Sequence, residues 1–362
     1  MSTPIRVLLV DDSAAMRALL RELLADTQDI AVIGEAADAY EARERIKALN
    51  PDVITLDVEM PRMNGLRFLE NLMRLRPTPV VMVSSLTAKG AQTTLQAFAL
   101  GAVEVLQKPA GTTNAELAAA KDELVRAIRA ASKSRPRMRM AEPVNPAKFA
   151  GNVATASRFC LIGASTGGTE AIREVLERWR LPDVAVLIVQ HIPPAFSASF
   201  AERLDRSSPL FVRHAVDGQA LQAGHAYVAP GGLHMRIVRA RGGYAIRLDE
   251  SPPVNRHRPA VDVLFDSAMA FKRDCIAAVL LTGMGDDGAR GMEALHNSGV
   301  FTIAQDEATS IVWGMPGVAV SLGAADRVVP LQHVAQIVAD AARTRSSSSP
   351  AAGRYSEKRI SP

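Results

Sequence analysis

The segment Phe159-Cys-Leu-Ile-Gly-Ala-Ser-Thr-Gly-Gly168 decides the fold of the larger part of this 362-residue chain. Apolar residues 159–162 predict a buried strand, and the pattern over residues 170–179 predicts a helix. Glycines between them let the backbone turn sharply, which places Ser165 on a strand-to-helix turn of the form Gly-x-Ser-x-Gly. Because a helix N-terminus offers free N–H groups and partial positive charge, this turn suits a nucleophilic serine beside an oxyanion site.

Two other uses of a glycine-rich turn fit this sequence less well. A dinucleotide-binding turn has the pattern Gly-x-Gly-x-x-Gly, but Ser165 stands at the position of its middle glycine. A P-loop requires Gly-Lys followed by Ser or Thr, and the sequence after this turn does not have it. From this turn alone, a catalytic serine and a purely structural turn both remain open.

Two further predicted strands end in residues that can complete a catalytic site. The apolar run over residues 184–189 leads to His191, and the run over residues 276–281 leads to Asp286 and Asp287. Functional groups of open α/β sheets collect beyond the carboxyl ends of the strands, so the serine, the histidine and one aspartate are expected to meet there. A histidine that caps a strand end and aspartates that cap a helix are the structural alternatives.

The N-terminal third alternates predicted strands and helices, which is typical of a doubly wound parallel sheet. Its predicted strands lead to polar side chains, which are Asp11 and Asp12, Asp57, Ser84, and Lys108. Clustered carboxylates repel one another, so they suit a hard cation such as Mg²⁺. The metal and the lysine together would neutralise an incoming phosphoryl group. The alternative is a flavodoxin-like domain with acidic strand ends and no chemistry.

The net charge of +4 is unevenly distributed along the chain. Residues 126–158 carry eight Lys and Arg against one acidic residue, and residues 344–362 carry four against one. Residues 1–125 and 159–343 are net acidic. The basic excess therefore lies in a predicted linker and tail, and no recognition helix accompanies it, so we expect no nucleic-acid partner.

The sequence also favours a cytoplasmic protein without membrane insertion. Its apolar stretches fall short of the roughly 20 residues that span a bilayer, and its N-terminus lacks a basic-then-apolar signal pattern. The two cysteines, Cys160 and Cys275, fall in predicted buried strands and are expected to be free thiols.

These patterns divide the chain into four parts. We expect a flavodoxin-like doubly wound domain over residues 1–125 and a second doubly wound, parallel-sheet α/β hydrolytic domain over residues 158–343. Between them, residues 126–157 predict a basic, proline-containing linker that serves as an extended tether. Residues 344–362 predict a disordered tail.

Six separate motifs of the second domain resemble the catalytic domain of the CheB-type chemotaxis methylesterases, over about residues 158–343. In chain order they are Gly163-Ala-Ser-Thr-Gly-Gly168; Gln190-His191; Ala229-Pro-Gly-Gly232 with His234; Asn255-Arg-His-Arg-Pro259 with Val261-Asp-Val-Leu-Phe265; Leu281-Thr-Gly-Met-Gly-Asp-Asp-Gly288; and Gln305-Asp-Glu307 with Gly314-Met-Pro316. The resemblance implies that Ser165 is the nucleophile, His191 the general base and Asp287 the acid. It places the backbone N–H groups of Thr166 and Met284 at the oxyanion.

This resemblance also implies substrates. The expected reactions are hydrolysis of glutamyl methyl esters on methyl-accepting chemoreceptors, with release of methanol, and deamidation of certain receptor glutamines. Both are acyl transfers at a γ-carbonyl, so one triad serves both without a cofactor. The enzyme would act at membrane receptor arrays.

The first domain resembles response-regulator receiver domains over essentially its whole length. By that resemblance, Asp57 accepts a phosphoryl group from a chemotaxis histidine kinase. Ser84 and Lys108 contact the phosphoryl group and carry the switch. The implied ligands of Mg²⁺ are Asp11, Asp12, Asp57 and the backbone carbonyl of Glu59.

The resemblance predicts how the two domains work together. An unphosphorylated receiver covers the mouth of the catalytic site, and phosphorylation weakens that packing. Val105 stands where many receivers have an aromatic residue, so the switch is expected to rest on Ser84 and on helix packing. The alternative function is a catalytically silent receptor-binding adaptor controlled by a receiver domain.

Overall fold

Two parallel sheets, one in each predicted domain, organise the computed structural model of this chain. The structure describes residues 3–84, 90–109, 113–134, 147–149 and 154–347. Most of the predicted linker and tail, residues 135–146, 150–153 and 348–362, lies outside the described residues.

The strands of the first sheet are β1 (Ile5–Val10), β2 (Ile30–Ala36), β3 (Val53–Asp57), β4 (Val80–Ser84) and β5 (Glu104–Gln107). The helices of this domain are α1 (Ala14–Ala25), α2 (Ala39–Leu49), α3 (Gly65–Leu75), α4 (Gly90–Ala99) and α5 (Asn114–Ser132). The strands are parallel and lie in the order β2-β1-β3-β4-β5. This is the flavodoxin-like, doubly wound order, which confirms the predicted fold class.

Burial on both faces explains why the central strands of this sheet are apolar. Strands β3 and β4 are buried along their whole length, and apolar clusters lie on the two sides of the sheet. All strands run in the same direction, so Asp11, Asp57 and Ser84 emerge at one edge of the sheet. That edge is where the sequence predicts the acidic site.

The second domain holds the larger sheet and a separate antiparallel hairpin. The strands of the larger sheet are β6 (Arg158–Ala164), β7 (Val184–Gln190), β8 (Phe211–His214), β9 (His225–Val228), β12 (Cys275–Leu280), β13 (Phe301–Gln305) and β14 (Arg327–Val329). The hairpin consists of β10 (His234–Ala240) and β11 (Gly243–Asp249). The helices of the second domain are α6 (Gly168–Glu177), α7 (Pro194–Ser207), α8 (Val261–Ala268), α9 (Ala289–Asn297), α10 (Met315–Ser321) and α11 (Val334–Ser347). Within the described residues, every helix is too short or too polar to pass through a bilayer.

The strand order of the second sheet creates a crevice. The order is β14-β13-β12-β6-β7-β9-β8, and the neighbouring strands are parallel. The chain builds one half of the sheet outward from β6 through β7, then returns to build the other half from β12. Ligands of such sheets bind beyond the carboxyl ends of the strands at this switch point. The sequence-predicted loops after β6, β7 and β12 all open there.

Both cysteines lie in the core of the second domain. Cys160 on β6 and Cys275 on β12 are fully buried thiols that are not joined in a disulfide, which confirms the prediction for the two cysteines. Apolar side chains pack on both faces of the sheet in two clusters.

Helix α5 extends past the predicted end of the first domain at residue 125. It continues as far as Ser132 because Ile128 and Ala131 extend the apolar face that packs on the first sheet. The predicted linker therefore begins inside a helix rather than in an extended segment. At the other end of the chain, α11 likewise runs past residue 343 to Ser347.

The described part of the tether close to the second domain is docked on that domain. The Lys148 ammonium donates to the Asp205 carboxylate at 2.9 Å and to the Leu210 carbonyl at 2.6 Å. The Phe149 N–H donates to the Pro209 carbonyl at 2.9 Å. Residues 147–149 are thus held by hydrogen bonds, which the charge and proline content of the linker did not predict.

Candidate functional site

Ser165 lies on the predicted turn, one residue after β6. Its N–H donates to the Thr282 carbonyl at 3.0 Å, and its carbonyl accepts from Gly168 at 2.7 Å. Gly167 has a φ of +76°, which favours glycine, and a Cβ on Gly168 would lie 2.1 Å from the Gln190 side-chain oxygen. The glycines therefore allow the turn to close, and the side chain of Ser165 remains partly exposed.

His191 and Asp287 complete a row of hydrogen bonds with the serine. The distance from Ser165 Oγ to His191 Nδ1 is 3.0 Å, and the distance from His191 Nε2 to Asp287 Oδ2 is 2.7 Å. The His191 side chain is 7% exposed and that of Asp287 is 2% exposed. The structure thus brings the three side chains together at the switch point.

The carboxylate determines which ring nitrogen of His191 carries the proton. A carboxylate only accepts, so Nε2 holds its hydrogen toward Asp287 and Nδ1 presents a lone pair to Ser165. The serine proteases use the opposite nitrogens for these two contacts. The ring can therefore take the hydroxyl proton of Ser165 at Nδ1.

Asp287 also caps helix α8. Its oxygens accept from the N–H groups of Val261 at 2.6 Å and Asp262 at 3.2 Å, and from the Asn255 side chain at 2.8 Å. Burial raises the pKa of this carboxyl, but the hydrogen bond and charge of His191, together with the amide donors, lower it overall. The carboxylate therefore remains ionised beside the imidazole at neutral pH.

Two backbone N–H groups beside the serine point to an oxyanion site. The N–H groups of Thr166 and Met284 have no acceptor among the described residues. Gly283, the residue before Met284, lies against the serine because it lacks a side chain: a Cβ there would lie 2.8 Å from the Ser165 Cβ. Both predicted donors are thus available beside Ser165.

Polar side chains of neighbouring strand ends hold the Ser165 turn in place. The Gln190 amide donates to the Ser165 carbonyl at 2.8 Å and to the His191 carbonyl at 3.0 Å. The Thr282 hydroxyl donates to the Thr166 carbonyl at 3.0 Å. Sequence reasoning assigned these two residues no role, because their contacts depend on how the strands pair.

Sequence reasoning also missed His257, whose ring is stacked on His191. The two ring centroids are 3.6 Å apart, and the ring planes differ by 11°. The only signal in the sequence was its place in the Asn255-Arg-His-Arg-Pro259 motif. That motif does not reveal a ring contact.

The acidic site of the first domain also forms as a cluster. Asp11, Asp12 and Asp57 each present a carboxylate oxygen, and these oxygens lie within 4.8 Å of one another. The Lys108 ammonium lies 2.8 Å from Asp57 and 2.9 Å from Asp11. Hard oxygen ligands of this kind fit Mg²⁺, and the cluster is typical of a Mg²⁺-binding phosphorylation site.

At this cluster, burial and the contacts between Lys108 and the carboxylates shift the pKa values in opposite directions. Burial raises the pKa of the Asp57 carboxyl, and the nearby Asp11 carboxylate adds to that, against the opposing hydrogen bond from Lys108. Burial lowers the pKa of the Lys108 ammonium, but its contacts with the two carboxylates raise it overall. Crowded negative charge of this kind favours a cation. Ser84 lies buried at the end of β4, and its carbonyl accepts from the Lys108 N–H at 2.9 Å.

The first domain touches the turn that carries Ser165. Helix α4 packs against α6 and α7, and Ile311 packs on an apolar cluster of the first domain. The Glu104 carboxylate on β5 accepts from the Thr166 hydroxyl at 3.0 Å. Thr166 directly follows the serine, so the contact between domains lies at the candidate site itself.

Together these features define a class of protein: a hydrolase with a parallel α/β domain and a Ser–His–Asp site, joined to a domain with the acidic cluster of a receiver. A family model described as CheB methylesterase matches residues 160–338, and one described as response regulator receiver domain matches residues 7–120. The chain therefore belongs to the CheB methylesterase family, and it is a methylesterase regulated by a receiver domain.

Individual relatives match nearly the whole chain. A "Protein-glutamate methylesterase/protein-glutamine glutaminase 1" of Xanthomonas euvesicatoria pv. vesicatoria is 52% identical over 348 residues, covering 93% of this chain and 97% of the relative. A "Protein-glutamate methylesterase/protein-glutamine glutaminase" of Pectobacterium atrosepticum is 48% identical over 334 residues, covering 92% of this chain and 95% of the relative. The crystal structure of the Thermotoga maritima CheB methylesterase catalytic domain is 36% identical with a TM-score of 0.49, covering 51% of this chain and 97% of that chain.

Proposed function

We propose that Ser165, His191 and Asp287 carry out the hydrolysis, as nucleophile, general base and orienting acid. The observation that carries this proposal is the continuous row of hydrogen bonds from Ser165 Oγ through His191 to Asp287. The row lies at the switch point, beside two N–H groups without acceptors among the described residues.

The chain is a protein-glutamate methylesterase and protein-glutamine glutaminase, the activity that its relatives' names state. Both reactions break a bond at the γ-carbonyl of a side chain, to a methoxy group in one case and to an amide nitrogen in the other. A single acyl-transfer site can therefore perform both.

The proposed reaction has two stages. Ser165 Oγ attacks the γ-carbonyl carbon while His191 Nδ1 takes the hydroxyl proton. His191 then gives that proton to the leaving methanol or ammonia, and an acyl-enzyme ester remains on Ser165. In the second stage a water attacks this ester and loses a proton to His191. The glutamate carboxylate leaves, and Ser165 regains its hydrogen.

The N–H groups of Thr166 and Met284 would stabilise the negative oxygen of each tetrahedral intermediate. A single donor of this kind typically lowers the activation barrier by about 3–4 kcal/mol. Asp287 would fix the tautomer of His191 and stabilise the imidazolium during each stage.

Labelling with a fluorophosphonate tests the proposed nucleophile. We expect the reagent to modify Ser165 and to leave Ser197 unmodified. Ser197 also contacts a histidine, His214 Nε2 at 3.0 Å, but it is buried and accepts from the Gly231 N–H. Mass spectrometry of the labelled peptides would decide. Because the closed receiver covers this site, the test uses the chain activated by acetyl phosphate and Mg²⁺, and a folded, activated chain that does not react at Ser165 would favour the silent-adaptor alternative.

The proposed substrates are the methyl-accepting chemoreceptors, and the proposed phosphodonor is a chemotaxis histidine kinase. Family membership supports both. We further propose that Asp57 accepts the phosphoryl group, with Ser84 and Lys108 in contact with it. The ligands proposed for Mg²⁺ are Asp11, Asp12, Asp57 and the backbone carbonyl of Glu59. Bound there, the ion would offset the charge of the phosphoryl group.

Regulation follows from the contact between the domains. In the closed arrangement the receiver lies against the Ser165 turn through Glu104 and Thr166. We propose that phosphorylation of Asp57 shifts the chain toward an arrangement in which this contact is broken and the receptor side chain reaches Ser165. Such a shift requires that the phosphorylated receiver bind the catalytic domain more weakly.

The pH dependence of the basal activity tests the Glu104 contact. Burial raises the pKa of the closed-state Glu104 carboxyl from its usual 4.5 to about 7, against an opposing hydrogen bond from Thr166. The charged and titratable groups around it are Glu123 and Arg126. The closed state holds this proton more tightly than an open state with an exposed carboxyl. The closed state is therefore favoured at low pH and loses that advantage as the pH rises toward about 7.

We therefore expect the methanol release of the unphosphorylated chain to rise from about pH 5 to about pH 8 more steeply than that of Glu104→Gln. The glutamine can still accept from Thr166 but carries no charge, so its basal rate at about pH 8 should be several-fold lower than that of the wild type. Identical pH profiles would rule out a role for Glu104 in the closed state.

A further inference from the structure

His257 contacts the proposed general base through a ring face. Its centroid lies 3.6 Å from that of His191, with the planes nearly parallel. Neither ring nitrogen of His257 has a hydrogen-bonding partner among the described residues. The contact therefore depends on a flat surface and not on a polar atom.

The hydrogen bonds of His191 leave one motion of its ring open. Contacts at Nδ1 and Nε2 fix two points in the ring plane, to Ser165 and Asp287. The ring can still tilt about the line through these two atoms, and tilting misaligns both hydrogen bonds. A flat neighbour against one face restricts this tilt.

A tight turn holds His257 in this place. The N–H of His257 donates to the Val254 carbonyl at 2.8 Å, and the N–H of Val254 donates to the His257 carbonyl at 3.1 Å. The two residues between them, Asn255 and Arg256, have φ values of 50° and 67°. Residues other than glycine rarely adopt this left-handed backbone conformation, so the contacts around the turn must hold it in place.

The anchor of the turn is Asn255. Its side-chain amide donates to Asp287 Oδ1 at 2.8 Å and to Asp262 Oδ2 at 2.7 Å. The acid that orients one edge of the His191 ring therefore also fixes the turn that covers its face. This arrangement links the position of the stacked ring to the triad.

The stacked ring is uncharged at neutral pH. Burial lowers the pKa of His257 to about 3, and the positive charges of His191, Arg126 and Arg256 act in the same direction against Asp287. A neutral ring does not repel the imidazolium that forms on His191 during the reaction.

We propose that His257 is a positioning residue, whose flat ring keeps the His191 imidazole in the plane that serves Ser165 and Asp287. This inference rests on the proposed roles of those three residues. His257 itself exchanges no proton in the reaction. Its requirement is planarity, which phenylalanine meets and leucine does not.

The test compares His257→Phe with His257→Leu in the full chain, activated by acetyl phosphate and Mg²⁺. Both side chains fill the space, so both variants should fold, which thermal unfolding would check. We expect the leucine variant to lose about 10- to 100-fold in kcat for methanol release, with little change in KM. The phenylalanine variant should stay within about threefold of the wild type, because the stacking face is kept.

A spectroscopic measurement separates positioning from a general structural role. The ¹⁵N spectrum of histidine-labelled protein should show His191 protonated at Nε2 in the wild type and in the phenylalanine variant. In the leucine variant the two tautomers should average. His191→Gln identifies the signal among the seven histidines.

Two results would overturn the inference. A leucine variant with wild-type kcat and an unchanged His191 signal would show that stacking does not matter. Equal losses in both variants would mean that the imidazole itself is required. Ser165→Ala in the same assay distinguishes a failure of this inference from a failure of the proposed triad. If the alanine variant keeps wild-type activity, the proposed triad is wrong, whatever His257 does.

Discussion

Replacing Ser165 with Ala is expected to reduce kcat for methanol release by up to about 10⁶-fold, which leaves only the residual rate that substrate binding and the oxyanion site supply. The hydroxyl is the proposed nucleophile, and the alanine variant retains every backbone contact of the turn. Binding of the variant to methylated receptor membranes should be unchanged. Methanol release and co-sedimentation with the membranes, measured on the same preparation, check both points.

The control is the double variant Ser165→Ala with His191→Gln. A nucleophile and its base act as a unit, so the second change should cost almost nothing once the first is present. Losses that multiply would show that the two residues act independently and would contradict the triad. Substantial turnover by the single Ser165→Ala variant would contradict it more directly.

Replacing Asp287 with Asn is expected to lower kcat by about 10⁴-fold, the loss known for the equivalent change in a serine protease. One oxygen of Asp287 accepts from His191 and Val261, and the other accepts from Asn255 and Asp262. An amide has a single acceptor oxygen, so it must turn an NH₂ group toward one of these donor pairs. The His191 tautomer or the anchor of helix α8 is lost. Steady-state kinetics together with thermal unfolding would measure both effects.

The matched control is Asp286→Asn at the adjacent position. The Asp286 side chain is exposed, and among the described residues it makes no hydrogen bond that the substitution would remove. Its activity should stay within about twofold of the wild type, as is usual for surface substitutions. If the two variants lost activity equally, the loop as a whole, rather than the Asp287 carboxylate, would be responsible.

The fold and the three triad side chains could be predicted because buried parallel strands are recognisable in the sequence as apolar runs. Apolar runs mark β6, β7 and β12, and parallel strands place their carboxyl ends at one edge, so Ser165, His191 and an aspartate had to be neighbours. Of the two adjacent acids, the structure brings Asp287 to the histidine and leaves Asp286 in solvent. The same logic located the acidic cluster of the receiver.

Contacts that depend on loop conformation and domain packing could not be predicted in this way. The stacking of His257 requires two consecutive left-handed residues, which no local pattern signals at Asn255 and Arg256. The Glu104–Thr166 hydrogen bond exists only because one domain packs on the other. Helix α5 continues to Ser132 because its later apolar residues cover the first sheet, and that packing is not visible from the sequence alone.

The most direct measurement is methanol release from methylated receptor membranes by the full chain, with and without acetyl phosphate and Mg²⁺, in the wild type and in Asp57→Asn. We expect the phosphodonor to raise the wild-type rate and to leave the rate of Asp57→Asn at its basal level. That result would support the substrate, the hydrolysis and the switch together. Equal stimulation of both proteins would contradict the role of Asp57, and no release by the folded wild type under either condition would contradict the proposal that this site hydrolyses receptor esters.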